Sequence, residues 1–281
     1  YGKSTVGGGN SNTASADNST VSGGFENTAS GEYSATVGGG NSNTASTNYA
    51  TVSGGQSHTA SGKNSTVSGG TTNIASGSDS TVGGGNTNTA SGVYSVVGGG
   101  NTNTASNLSS TLSGGSGNTS SGSASTVGGG QTNTAKGGNS TVSGGGYNTS
   151  SASNSTVSGG YGNGGSGGFA TVSGGGYNTA SGVYSVVGGG FENSASNTDC
   201  TVGSTNISSG ADGTVGGGKE NVASGQFSAV CGGTKNQATA LQSTICGGET
   251  NVASAVSSSI LGGSQNSTST FQNSHILGSN I

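Results

Sequence analysis

Across 281 residues the chain carries 63 Gly and no Pro, Met or Trp, with five Lys or Arg against nine Asp or Glu and a net charge of −4. So little charge excludes an electrostatic case for nucleic acid or an anionic membrane surface, and together with the lack of Pro it separates the chain from disordered segments of similar Gly and Ser content. No apolar run approaches the roughly 20 residues of a membrane helix, no signal peptide is visible, and the cysteines show neither a CxxC pattern nor a disulfide framework.

Order lies in the period. Aligned on the Thr of TVxGG, units begin at Thr5, Thr20, Thr36, Thr51, Thr66, Thr81, Val96, Thr111 and Thr126, and continue at Thr141, Thr156, Thr171, Val186, Thr201, Thr214, Ala229, Thr244 and Ser259. The spacing is 15 residues except for 16 from Thr20 and from Ser259 and 13 from Thr201. These are 18 units with consensus T-V-[SG]-G-G-x-x-N-T-A-S-G-x-x-S. The opening YGKS fits the end of a preceding unit and HILGSNI begins a following one, so residues 1–281 are expected to be one continuous solenoid cut from a longer fibre.

The columns of this alignment behave differently. Column 2 is Val, Leu or Ile; column 10 is mostly Ala; column 8 is Asn in every unit but the one with His58; column 15 is mostly Ser or Ala, with Cys200 in one unit. Columns 6, 7, 13 and 14 vary freely and hold every charged residue except Lys136, along with most aromatics. STV and NTAS are β-branched, alternating segments of strand length. The GG and SG pairs read as turns in which Gly supplies positive φ. Helix is excluded, because there is no 3.6-residue period and Gly recurs throughout. The fold expected is all-β: a parallel β-solenoid, or β-roll, with one coil per 15-residue repeat and two short strands per coil. Identical columns then stack, and an Asn column hydrogen-bonds along itself as stacked amides do in cross-β structures. One Val and one Ala per coil make a thin core, so burial between chains is expected: a symmetric homo-oligomer around a shared axis.

The unit STVSGG…NTASGxYS resembles the head repeat of YadA-like trimeric autotransporter adhesins, which runs roughly SVAIG-xx-AxAxG. SSILGG (258–263) and SHILGS (274–279) come closest to its first element and NTASG (178–182) to its second. Similar repeats occur in phage and other viral fibre proteins. The resemblance covers essentially the whole chain, although the unit here is one residue longer and its first strand carries Thr and Ser where the family has Val and Ile. It implies a left-handed parallel β-roll, a homotrimer and a place on a cell or virion surface.

Candidate sites are few. His58 reads as a substitution in the Asn column, and no second ligand recurs near it at metal spacing. There is no nucleophile, base and orienting group together, so no enzyme activity, cofactor or metal is expected. GGG lacks the GK[ST] ending and following helix of a phosphate loop, and no Asp column exists for a calcium roll. Cys231 and Cys246 share a column in adjacent coils, which leaves two readings: a disulfide, or an apolar run with Leu261 and Leu277. Asn18, Asn64, Asn139 and Asn154 are sequons at turn column 14 and candidate glycosylation sites. The aromatic turns Tyr147, Tyr161, Tyr177, Tyr184 and Phe191 are the candidate contacts for a host-surface receptor or glycan.

The function expected is a non-catalytic structural and adhesive section of an extracellular or virion fibre, a rod of roughly 90 Å at about 4.8 Å per coil. The alternatives are a subunit of a head-to-tail filament that pairs through its open edges and, less favoured, an ice-binding solenoid. Against ice binding, Val96, Val186, Ile74 and Ile207 interrupt the Thr columns.

Overall fold

The computed structural model describes residues 3–203, 205–269 and 271–278; Tyr1, Gly2 and the closing Ser279–Ile281 of the partial end units lie outside the described residues. The described residues form a parallel β-solenoid with two strands per coil and contain no helix. The chain divides into two compact units, residues 1–139 with 143–145 and residues 140–142 with 146–281.

In the first unit β1 (Thr5–Val6) and β2 (Thr13–Ala14) make one coil, and the pair recurs until β17 (Thr126–Val127) and β18 (Thr134–Ala135). In the second, β19 (Thr141–Val142) and β20 (Thr149–Ser150) open a run whose first-strand ladder reaches β35 (Ser259–Ile260) and β36 (His275–Ile276). Each strand is two residues long, shorter than STV and NTAS suggested. Backbone hydrogen bonds to the next coil continue one residue past each strand, as from the Gly38 N–H to the Val52 carbonyl and from the Ser46 N–H to the Ala60 carbonyl, and isolated bridges such as Asn41 with Gln56 join the corners.

Every strand pairs in parallel with its equivalent one coil away. Thr5 faces Thr20 and Val6 faces Val21; Ile74 faces Thr89 and Ala75 faces Ala90. Register survives the irregular units, with Thr20 against Thr36, Thr201 against Thr214 and Ser259 against His275. A slip by one residue would turn Val out and Thr in, which is why the odd residues are absorbed at corners.

The interior is built from columns 2, 8, 10 and 15. Val52, Ala60, Val67, Ala75 and their equivalents are fully buried, as are Asn73, Asn88 and Ser80. Ser replaces Ala in column 10 at Ser120 and Ser150, where each hydroxyl meets column 15 of its own coil: Ser120 Oγ donates to the Ser125 carbonyl at 2.9 Å and Ser150 Oγ to that of Ser155 at 2.8 Å. By contrast the buried hydroxyls of Ser65, Ser80 and Ser95 have no hydrogen-bond partner, and the same column accepts Ala at Ala35, Ala50 and Ala170.

The turns differ from expectation. Gly does supply positive φ at column 5, as at Gly85 (φ 86°), where a Cβ would strike the carbonyl oxygen of Gly100 and lie 2.7 Å from Asn88 Nδ2. Residues other than glycine also take left-handed backbone, however, at the variable columns 7 and 14, whatever residue stands there: Thr72 (56°), Thr87 (56°), Tyr94 (57°), Asp79 (57°). β-branched residues are rare in that region, and the ladders on either side hold them there. The Gly of SG has no positive φ. At Gly77 it is close packing that requires glycine, since a Cβ would collide with the Gly92 carbonyl.

Candidate contact surface

The Asn column joins coil to coil. Asn103 Nδ2 donates to the carbonyls of Gly99 in its own coil and Gly115 in the next, both at 2.9 Å. Its Oδ1 accepts the backbone N–H of Asn118 at 3.0 Å, while its own N–H donates to Asn88 Oδ1. The expected amide-to-amide ladder is therefore a correction: the chain of contacts runs mostly through backbone groups, and direct side-chain pairs are few, such as Asn193 Nδ2 to Asn178 Oδ1 at 2.7 Å. The sequence displays the column but not its partners, which become visible only once the Gly carbonyls are placed.

His58 fills this column as a substitute. It is buried, its N–H donates to Asn43 Oδ1 and its Nδ1 accepts the N–H of Asn73, each at 3.0 Å. Nε2 makes no hydrogen bond of ordinary geometry. Burial holds its pKa below the usual value, and the backbone at Gly70 and Asn73 offsets only part of that. His275 lies on the surface, with Nδ1 2.6 Å from Ser259 Oγ; no carboxylate hydrogen-bonds that ring among the described residues.

What faces outward is the set of corners. Tyr147, Tyr161, Tyr177 and Phe191 come together as one file up the second unit. Their ring centroids are 5.2, 5.6 and 5.6 Å apart in succession, tilted to edge-on. Each ring stays about half exposed. The aromatic alternates between columns 7 and 6, and Gly takes the vacated position in the first three coils and Glu192 in the fourth: a Cβ on Gly162 would lie 2.9 Å from the Tyr177 ring and one on Gly176 3.0 Å from Phe191. Tyr184 does not join this file. It stacks on Phe169 at the other corner, centroids 4.9 Å apart and planes 16° from parallel. Phe169 is a residue the sequence reading passed over, although it stands in the same column as Tyr184, one coil earlier.

The four sequon residues Asn18, Asn64, Asn139 and Asn154 are all exposed, with φ between 54° and 59°. Asn64 Nδ2 is engaged by Asp79 Oδ1 at 2.9 Å. Charge is sparse and external: Glu220 pairs with Lys219 at 3.4 Å and Lys235 at 3.7 Å, contacts of little energetic weight at such exposure. An open recess beside the 13-residue coil is lined by Glu192, Thr205, Ile207, Glu220 and Val222. Cys231 and Cys246 are exposed and free, whereas Cys200 is buried.

A family model described as the ubiquitous surface protein adhesin repeat matches residues 19–31. No curated protein matches the chain. The matched residues, Ser19 to Gly31, span most of one coil: its Thr20–Val21 strand, its Gly pair, Asn27 and the Thr28–Ala29 strand.

Proposed function

We propose that the chain is a non-catalytic structural and adhesive section of a cell-surface fibre, with the corner side chains as its contact surface. One observation carries this reading. The adhesin-repeat match falls on a whole inward pattern, strand, Asn and strand, that recurs in register along the ladder, while the outward corners change from coil to coil. A scaffold that repeats its interior and varies only its skin is suited to holding and presenting surface chemistry.

Within this reading the contacts to a receptor or glycan lie on the files of Tyr147, Tyr161, Tyr177 and Phe191 and on the Phe169–Tyr184 stack. Aromatic rings give large, rigid contact area at small entropy loss. The broad faces between corners, uncharged but for Lys136, suit packing against further copies of the same chain, as a homotrimer.

The test is binding of the purified chain to host-cell surfaces and to an immobilised glycan panel, with sedimentation velocity on the same sample. Binding that disappears when Tyr147, Tyr161, Tyr177, Tyr184 and Phe191 are changed together to Ala supports the contact assignment; undiminished binding overturns it. A monomer at micromolar concentration removes the oligomer.

A further inference from the structure

Cys231 and Cys246 occupy the same outward position on adjacent coils. The strands before them pair in register, Val230 against Ile245. Both cysteines extend the ladder, the Cys231 N–H donating to the Ile245 carbonyl and that of Cys246 to the Ile260 carbonyl, each at 2.9 Å. Ladder neighbours lie about 4.8 Å apart, inside the Cα separation that a disulfide spans. Both thiols are free and exposed. Burial first, then the neighbouring Cys246, raises the pKa of the Cys231 thiol. Cys200 is apart from this pair, buried in column 15 with its thiol donating to the Gly210 carbonyl at 3.0 Å.

We infer that Cys231 and Cys246 form a reversible oxidation site, closed to an intrachain disulfide by exchange with a small external disulfide. The Cys246 thiolate attacks one sulfur of the small disulfide; that S–S bond breaks and one small thiolate leaves. Cys231 loses its proton to solvent and attacks the Cys246 sulfur of the mixed disulfide. The second small thiolate leaves and takes up a proton. Two protein thiols are oxidised and one small disulfide is reduced to two thiols.

The product joins one coil to the next on its outer face, so neither can peel away from the ladder without breaking a covalent bond. Side chains of in-register parallel neighbours stand side by side rather than converging, so closure is strained, and strained or exposed disulfides are the readily reduced ones. The bond is therefore a staple that thiols of ordinary strength reopen. This inference stands apart from the adhesive reading and is tested without any receptor.

The experiment treats the full chain with excess oxidised glutathione, quenches with an alkylating agent under denaturing conditions and measures intact mass. The expected product has lost two hydrogens and carries one alkyl group, on Cys200, and it returns to three alkyl groups after incubation with reduced glutathione. C231S and C246S are each expected to stop at a stable glutathione adduct, and C200S to close like the parent. Three alkylated cysteines after oxidation, a lasting glutathione adduct on the parent chain, or disulfide-linked dimers in place of the intrachain bond would each overturn the inference.

Discussion

The side-chain oxygen of Asn88 holds the backbone N–H of Asn103, 3.0 Å away and one coil later. The same amide donates at 2.9 Å to the carbonyls of Gly84 behind it and Gly100 ahead. One side chain thus satisfies a carbonyl and an N–H that the glycine corner would otherwise leave bare, and adds a second donor to the Gly100 carbonyl, which already accepts the N–H of Asn86; the arrangement recurs from coil to coil.

Asn103→Ala strips partners from the Gly99 and Gly115 carbonyls and from the N–H of Asn118. The Gly115 carbonyl keeps the N–H of Asn101, so two groups lose their partner, and at about 1–3 kcal/mol for each group left unpaired a loss of about 2 kcal/mol or more is expected. Denaturant unfolding measures the total, and hydrogen exchange should report lost protection at Asn118 first. A change below about 1 kcal/mol would show that solvent serves the corner equally well.

His58 makes one coil acid-sensitive. Its folded pKa lies below the unfolded value because burial disfavours the charged ring. The unfolded chain therefore binds the proton first as pH falls. The stabilising contribution is complete above about pH 6.5, the unfolded value, and declines below it. A protonated Nδ1 would also face the Asn73 N–H donor to donor. Hydrogen exchange of residues 55–75 between pH 7.5 and 5 should accelerate beyond its intrinsic dependence, and His58→Asn should abolish that excess. If both chains respond alike, the histidine is not the cause.

Two substitutions at turns are expected to move stability in opposite directions. Thr72 is β-branched at φ 56°, so Thr72→Asn, which tolerates that conformation, should stabilise by about 0.5–1 kcal/mol. Gly85→Ala should destabilise by about 3 kcal/mol or more, since its Cβ meets the Gly100 carbonyl and crowds Asn88 Nδ2. Thermal unfolding of the two variants decides the matter; a stabilising Gly85→Ala would refute the packing described.

The Ser80 hydroxyl is buried without a partner. Ser80→Ala is therefore expected to leave stability unchanged or raise it by up to about 1 kcal/mol. A clear loss in equilibrium unfolding would mean that the hydroxyl is bonded after all.

Period, register and the identity of the inward columns were legible in the residues themselves. Val21, Val37 and Val52 recur because each must fill the same space, and the 16- and 13-residue units stay aligned because Thr36 and Thr214 stand at the same column as Thr20 and Thr201. The left-handed corners were not legible. Thr72, Tyr94 and Asp79 have nothing in common as side chains, and their conformation is imposed by the ladders around them. The Gly of SG looked like a turn former, yet at Gly77 it answers to the carbonyl of the next coil, a neighbour 15 residues away. Tyr147, Tyr161, Tyr177 and Phe191 could be suspected from their columns, but that they touch ring to ring depends on Gly162 and Gly176 standing beside them, and Phe169 was missed because its partner Tyr184 is one coil on.

Adjacent coils meet through the same contacts wherever they fall within a unit. A whole coil added or removed by recombination of the coding DNA would therefore need no new complementary surface, and its neighbours would bond to the newcomer as they did to each other. Residues 81–100 and 171–190 differ at only three positions, so little in the sequence separates one coil from another. Length becomes a heritable quantity that can change in steps of one coil, independently of which corner side chains each copy goes on to acquire.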